Sequence, residues 1–125
     1  MTSKKKQAKD AIPESPRAAA QAEAVSDFQV NLTDDAAADL GAISDAATRE
    51  VILRRALDLQ REPLKQGKAL TDNLKNFRSV RAAGQRYRIV YQVAVQSGQV
   101  IVVVIGIRKA GNKKDAYEIA GKRLG

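Results

Sequence analysis

Gln85-Arg86-Tyr87-Arg88-Ile89-Val90-Tyr91-Gln92-Val93-Ala94-Val95 and, four residues on, Val100-Ile101-Val102-Val103-Val104-Ile105-Gly106-Ile107 decide how this chain folds. In the first run Tyr87, Ile89, Tyr91, Val93 and Val95 alternate with Arg86, Arg88, Val90, Gln92 and Ala94, the period of a strand. Ser97-Gly98 supplies the turn between the two runs. The second run is apolar on both faces, which predicts the central, covered strand of a sheet. Upstream, Phe77 to Arg81 reads as a short strand joined to the first run by the turn Ala82-Ala83-Gly84-Gln85. These three segments predict an antiparallel meander.

Working outward, Phe28, Val30 and Leu32 alternate with Asp27, Gln29 and Asn31 as an N-terminal strand. Thr33 then offers an N-cap, and Asp34 and Asp35 put carboxylates in the first helical turn, where the helix dipole favours them. Ala36, Ala37, Leu40 and Ile43 stripe that helix. A second helix starts at Ser44 or Asp45, carries Val51, Ile52, Ala56 and Leu59, and stops before Pro63. Beyond the apolar strand come a glycine-bearing basic loop, Arg108 to Lys114, and an amphipathic turn or helix from Asp115 to Leu124. The order β-α-α-β-β-β with a short C-terminal helix is an α+β fold, a helical hairpin packed on one face of a mainly antiparallel sheet.

The chain has 125 residues, 44% of them hydrophobic, enough for one core. Residues 1–25 mix Lys4, Lys5, Lys6 and Lys9 with Pro13 and Pro16, and Ile12 and Val25 are their only large apolar residues after Met1. They read as a disordered tail ahead of a folded domain at 26–125. With no cysteine and no histidine, disulfides, thiolate nucleophiles, Cys- or His-ligated zinc and the Ser-His-Asp triad are excluded. No apolar run approaches the roughly 18 to 20 residues of a membrane span, and no apolar core follows the N-terminal lysines, so the expectation is a cytoplasmic protein with no membrane partner. No cofactor motif is visible: Gly67-Lys68 lacks the rest of a P-loop, and Asp34 and Asp35 read as helix-start acids rather than metal ligands.

Charge points to a partner. Residues 61–125 hold 14 bases against four acids, net +10, whereas residues 26–60 hold three bases against seven acids, net −4. Such an excess favours a polyanion. Arg86 and Arg88, two apart, share a strand face, and an antiparallel neighbour brings Arg78 or Arg81 opposite or diagonal to them. Arg108 ends the apolar strand, and Tyr117 follows the pair Lys113-Lys114. Forked, permanently charged guanidiniums on the sheet face away from the helices make a phosphate cradle, and Tyr117 adds a phenol or a stacking ring. Blander roles fit other residues: Tyr87 and Tyr91 as core aromatics, Arg86 as an exposed strand cation, Lys4 to Lys9 as a solvated tail.

Phe77-Arg78-Ser79-Val80-Arg81, Gln85-Arg86-Tyr87-Arg88-Ile89-Val90-Tyr91-Gln92-Val93, Val102-Val103-Val104-Ile105-Gly106-Ile107-Arg108 and Tyr117 before Lys122-Arg123-Leu124 closely resemble toxins of the RelE/ParE superfamily, in particular its RelE branch. The resemblance spans residues 27 to 124. It implies a microbial-RNase-like fold, cleavage of mRNA in the ribosomal A site with contacts to 16S rRNA, and a cognate antitoxin that wraps the toxin. It implies Arg88, Arg108 and Tyr117 as catalytic residues, with Arg78 and Arg81 where such toxins place basic residues on the preceding strand. Together with the charge reading this gives Arg81, Arg88, Arg108 and Tyr117 as the catalytic candidates and Arg78, Arg86, Lys109, Lys113 and Lys114 as the RNA-binding ones. It implies no cofactor: the reaction is a metal-free attack of the 2′-hydroxyl on the adjacent phosphorus. Arginine cannot act as base near neutral pH, so proton transfer falls to Tyr117, Lys109, Lys113 or Lys114. The 77–81 strand carries arginines where RelE carries lysines, and the stretch from Arg108 to Tyr117 is longer than in RelE. Two further readings stand beside this one, a ParE-like inhibitor of DNA gyrase without catalysis and a non-toxic basic module that binds nucleic acid.

Overall fold

The computed structural model describes residues 27–124, so the tail read over 1–25 lies outside the described residues. Its elements are β1 (Gln29–Leu32), α1 (Asp34–Gly41), α2 (Ala46–Leu57), β2 (Lys68–Ala69), β3 (Arg78–Ala82), β4 (Tyr87–Ala94), β5 (Gln99–Ile107) and α3 (Ala116–Leu124). They form a five-stranded sheet in the order β1-β5-β4-β3-β2. The meander β3-β4-β5 is antiparallel as expected, and β1 returns parallel to β5 after the helical hairpin. The two-residue strand β2 was not expected, because two residues carry no periodicity to read. β5 is interior and covered on both sides, although β4, not β5, is the middle strand.

Local chemistry starts each helix. The Thr33 hydroxyl accepts from Ala36 N–H at 3.1 Å, and the Asp45 carboxylate accepts from Thr48 N–H at 3.2 Å, so two otherwise orphaned donors are capped. Ile52 and Ala56 of α2 and Leu59 beyond it are fully buried against Val80, Ile89, Tyr91, Val100 and Val102. Tyr91 is a core aromatic whose hydroxyl donates to the Pro63 and Gln66 carbonyls at 2.8 and 3.0 Å. Its burial raises its pKa, and Arg78 only partly offsets the effect.

The second face of the sheet is covered by α3, whose Ala116 and Ala120 are buried with Val90, Val103 and Val104. A β-bulge makes this possible. Val90 stands opposite Val104 but Tyr91 stands opposite Val102, so Val103 is an extra residue in β5. The extra residue turns Val103 and Val104 toward α3, while Val100, Val102 and Ile105 serve the hairpin side.

Where β1 ends, two side chains continue its work along the edge of β5. Asp39 accepts from Ile105 N–H at 3.0 Å, and Arg123 donates to the Val103 carbonyl at 3.0 Å and to Asp39 at 2.9 Å. The edge is thereby satisfied and α1 is clasped to α3.

At Gly106 the start of α3 lies close over β5, since a Cβ there would stand 3.3 Å from Ala116 Cα. Replacement by a larger side chain must push the helix outward. Gly106→Val is expected to cost about 1–3 kcal/mol in chemical denaturation. Gly41→Ala, with open space around its Cβ, is expected to be neutral or stabilising by up to about 1 kcal/mol.

Candidate functional site

The register of β3 and β4 sets Arg81 directly opposite Arg88. Like charges facing each other across a strand pair are unfavourable without a counter-ion. Among the described residues, neither is ion-paired to an acid. Arg88 is steadied instead by donating to the Gln85 and Tyr87 carbonyls at 2.6 and 3.2 Å. Both arginines open onto a basin of about 520 Å³ beside α3, whose lining also holds Lys68, Arg55, Ser79, Arg108 and Tyr117. The lining contains five cations and no carboxylate, so it suits a polyanion.

Tyr117 forms one wall. Its hydroxyl shares a hydrogen bond of 2.9 Å with the Ser79 hydroxyl, which satisfies an otherwise buried polar group. The Arg108 guanidinium lies 4.6 Å from the ring centroid and the Lys68 ammonium 6.0 Å away, both in cation–π range. Of the four residues expected to be catalytic, Arg81, Arg88, Arg108 and Tyr117, the fold brings all four to one basin.

The five expected RNA-binding residues are placed elsewhere. Arg78 is out of phase with Ser79 and Arg81, and its guanidinium donates to the Gln66 carbonyl at 3.0 and 3.2 Å. There it braces the segment leading to Lys68. Arg86 and Lys114 line a separate groove under the α1–α2 loop. Lys109 and Lys113 are exposed on the loop before α3 and do not line the basin.

Besides Arg55, which α2 brings to the lining, three residues of the site escaped sequence reasoning. Lys68 reaches it because β2 pairs Lys68 with Ser79, and Gly67 precedes it at φ +64°, where a Cβ would collide with the Ser79 carbonyl. Ser79 reads as a neutral strand residue until its partner is seen. Asp115 is the third. It is 2% exposed, and its two oxygens hold different groups. Oδ1 accepts from Arg108 Nη1 at 2.8 Å and from Lys109 N–H at 2.5 Å. Oδ2 caps α3 by accepting from Tyr117 N–H at 3.0 Å and Glu118 N–H at 3.4 Å. Burial alone would raise the Asp115 pKa, but the hydrogen bonds from Arg108 and from the Lys109 and Tyr117 amides outweigh it and hold the carboxyl below its ordinary value.

A family model described as "ParE toxin of type II toxin-antitoxin system, parDE" matches residues 30–113. The chain belongs to this RelE/ParE family and is a toxin of a type II toxin–antitoxin system. Among solved structures it is similar to a chain of the RelBE2 toxin–antitoxin complex from Mycobacterium tuberculosis, at 28% identity and TM-score 0.60, covering 66% of this chain and 99% of that one. A free mutant form of the Escherichia coli toxin RelE matches at 19% identity and TM-score 0.62, covering 79% of this chain and 99% of that one. A chain of the chromosomal ParDE system from P. aeruginosa matches at 16% identity and TM-score 0.57, covering 66% of this chain and 97% of that one. No curated protein matches it by sequence.

Because the folded Asp115 is more acidic than its unfolded counterpart, it stabilises the fold above the unfolded pKa of about 4, and that contribution is lost as pH falls through the folded value. The thermal midpoint should therefore drop as pH is lowered below about 4. Asp115→Asn should make that drop shallower in calorimetric scans.

Proposed function

We propose that this toxin is a ribosome-dependent endoribonuclease that cleaves mRNA in the A site in the cytoplasm and is neutralised by a cognate antitoxin. The observation that carries the reading is the convergence of five cations and Tyr117 on one basin without a carboxylate in its lining. In the reaction the 2′-oxygen of the substrate ribose forms a bond to phosphorus while the bond from phosphorus to the 5′-oxygen breaks. A 2′,3′-cyclic phosphate and a 5′-hydroxyl end remain. Arg81 and Arg88 face the position of the phosphorane, whose developing charge a fixed guanidinium stabilises more than it does the ground state. Lys68 and Tyr117 flank the same space and carry the protons that arginine cannot exchange near neutral pH. The ribosome supplies orientation, so much of the rate comes from positioning rather than from strong acid–base groups.

One observation favours a second reading. The matching family model is that of ParE, so a non-catalytic block of DNA gyrase is the alternative. The two differ in products. Nuclease action leaves mRNA cut within codons, with 5′-hydroxyl ends, only when ribosomes are present. Intact mRNA with accumulating gyrase-linked DNA breaks would establish the gyrase reading instead.

Arg81→Ala and Arg88→Ala should each slow cleavage about 10²- to 10³-fold, the scale of losing one preorganised donor to an oxyanion. Lys122→Ala, an exposed cation outside the basin, should stay within about two-fold of wild type. Single-turnover rates on programmed ribosomes measure all three. Affinity for the antitoxin should fall steadily as salt rises, because the surface to be covered is basic. Calorimetric titration across a salt series checks this, and a salt-independent affinity would mean that the basin is not covered.

A further inference from the structure

We propose that Asp115 is a positioning residue, a buried anion that presets Arg108 against the face of Tyr117 and so assembles one wall of the basin. The catalytic part of this inference rests on the nuclease reading, whereas the holding of Arg108 rests on the geometry alone.

Arg108 and Tyr117 are nine positions apart and belong to different elements, the end of β5 and the first turns of α3. A single side chain joins them. Asp115 sits behind the wall and does not line the basin, so a phosphate entering it meets Arg108 and not the carboxylate. With one oxygen it takes Arg108 Nη1 and the Lys109 amide, and with the other it caps the helix that carries Tyr117. Fixing the guanidinium and the ring to the same carboxylate fixes them relative to each other, at 4.6 Å from guanidinium carbon to ring centroid. The Arg108 side chain remains 33% exposed, and a guanidinium has five N–H donors, so holding Asp115 leaves donors for a substrate oxygen.

The pair is also electrically balanced. Asp115 offsets the charge of Arg108 and Asp58 that of Arg55, so Arg108 acts as an aimed donor while Lys68, Arg81 and Arg88 supply the net positive charge. Two consequences of removing the carboxylate charge therefore point in opposite directions. The aim of Arg108 is lost, which lowers kcat. The basin gains a net positive charge, which holds or tightens ground-state binding of RNA. A variant that merely loosened the fold would weaken both.

Asp115→Asn separates the two duties, because asparagine caps a helix nearly as well as aspartate but offers no charge to a guanidinium. On programmed ribosomes its kcat should fall about 10- to 100-fold, with KM unchanged or lower and with a steeper salt dependence of binding. In an Arg108→Ala background the same change should add less than two-fold, since there is no guanidinium left to aim. Arg108→Lys keeps the charge but not the fork, and should cleave as slowly as Arg108→Ala. It carries the same test should Asp115→Asn fail to fold. Wild-type kcat in Asp115→Asn, full additivity with Arg108→Ala, or wild-type kcat in Arg108→Lys would overturn the proposal. Nitrogen-15 spectra of the Arg108 guanidinium in the full chain judge the geometry independently of activity. Restrained Nη–H signals should appear in the wild type and average in Asp115→Asn, and unchanged signals would overturn the proposal. If the wild type cuts no ribosome-bound mRNA, the nuclease reading fails while the guanidinium spectra still decide whether Asp115 holds Arg108.

Discussion

A strand that is apolar at every position from Val100 to Ile107 must be covered on both faces, and the other elements are arranged around that demand. The helical hairpin seals one side through Ile52, Ala56 and Leu59, and α3 seals the other through Ala116 and Ala120. The bulge at Val103 reconciles the two, since it lets adjacent valines face α3 while their neighbours keep facing the hairpin. With α3 confined to part of its face, the rest of that face stays open, and there the cations of β3 and β4 collect. The basin is the part of the second sheet face that α3 leaves uncovered.

Polar contacts then make the arrangement unique. Apolar burial alone would let α3 slide along the sheet. The clasp from Asp39 to Arg123 at one end and the cap from Asp115 at the other fix its position. The same logic governs the approach to the basin from the opposite edge. The Gln66 carbonyl accepts from both Tyr91 and Arg78, and the Gln66 side chain donates to the Asp58 and Arg61 carbonyls and accepts from Arg55. That knot holds the chain in place just before Gly67 and Lys68. Arg78, which looked available for RNA, is committed to this scaffold.

Much of the fold was legible because it rests on short-range rules. Alternation marked β1 and β4, an unbroken apolar run marked β5, and Thr33 and Asp45 started helices where capping chemistry allows. The residues Arg81, Arg88, Arg108 and Tyr117 could be grouped because a strand's period fixes which face a side chain uses and the resemblance supplied the distant tyrosine. What could not be read depends on long-range partners. Arg78 and Arg81 look equivalent in sequence, yet three positions apart in a strand means opposite faces, and only the location of the Gln66 carbonyl decides what Arg78 does. Lys68 joins the site through a pairing of two residues, too short to leave a periodic trace. Asp115 reads as a helix-start acid, which it is, but its second oxygen and its hold on Arg108 exist only once the loop has closed.

On the proposed nuclease reading, this basin holds the scissile phosphate of an A-site codon. The most direct measurement is a structure of the toxin on a ribosome whose A-site codon carries a 2′-methoxy group at the cleavage position, so that attack is blocked. The phosphate should lie within hydrogen-bonding distance of Arg81 and Arg88, with Arg108 and the Tyr117 ring on one side of it and Lys68 on the other. A bound toxin whose basin is empty of RNA, with the codon phosphate against another surface, would contradict the account.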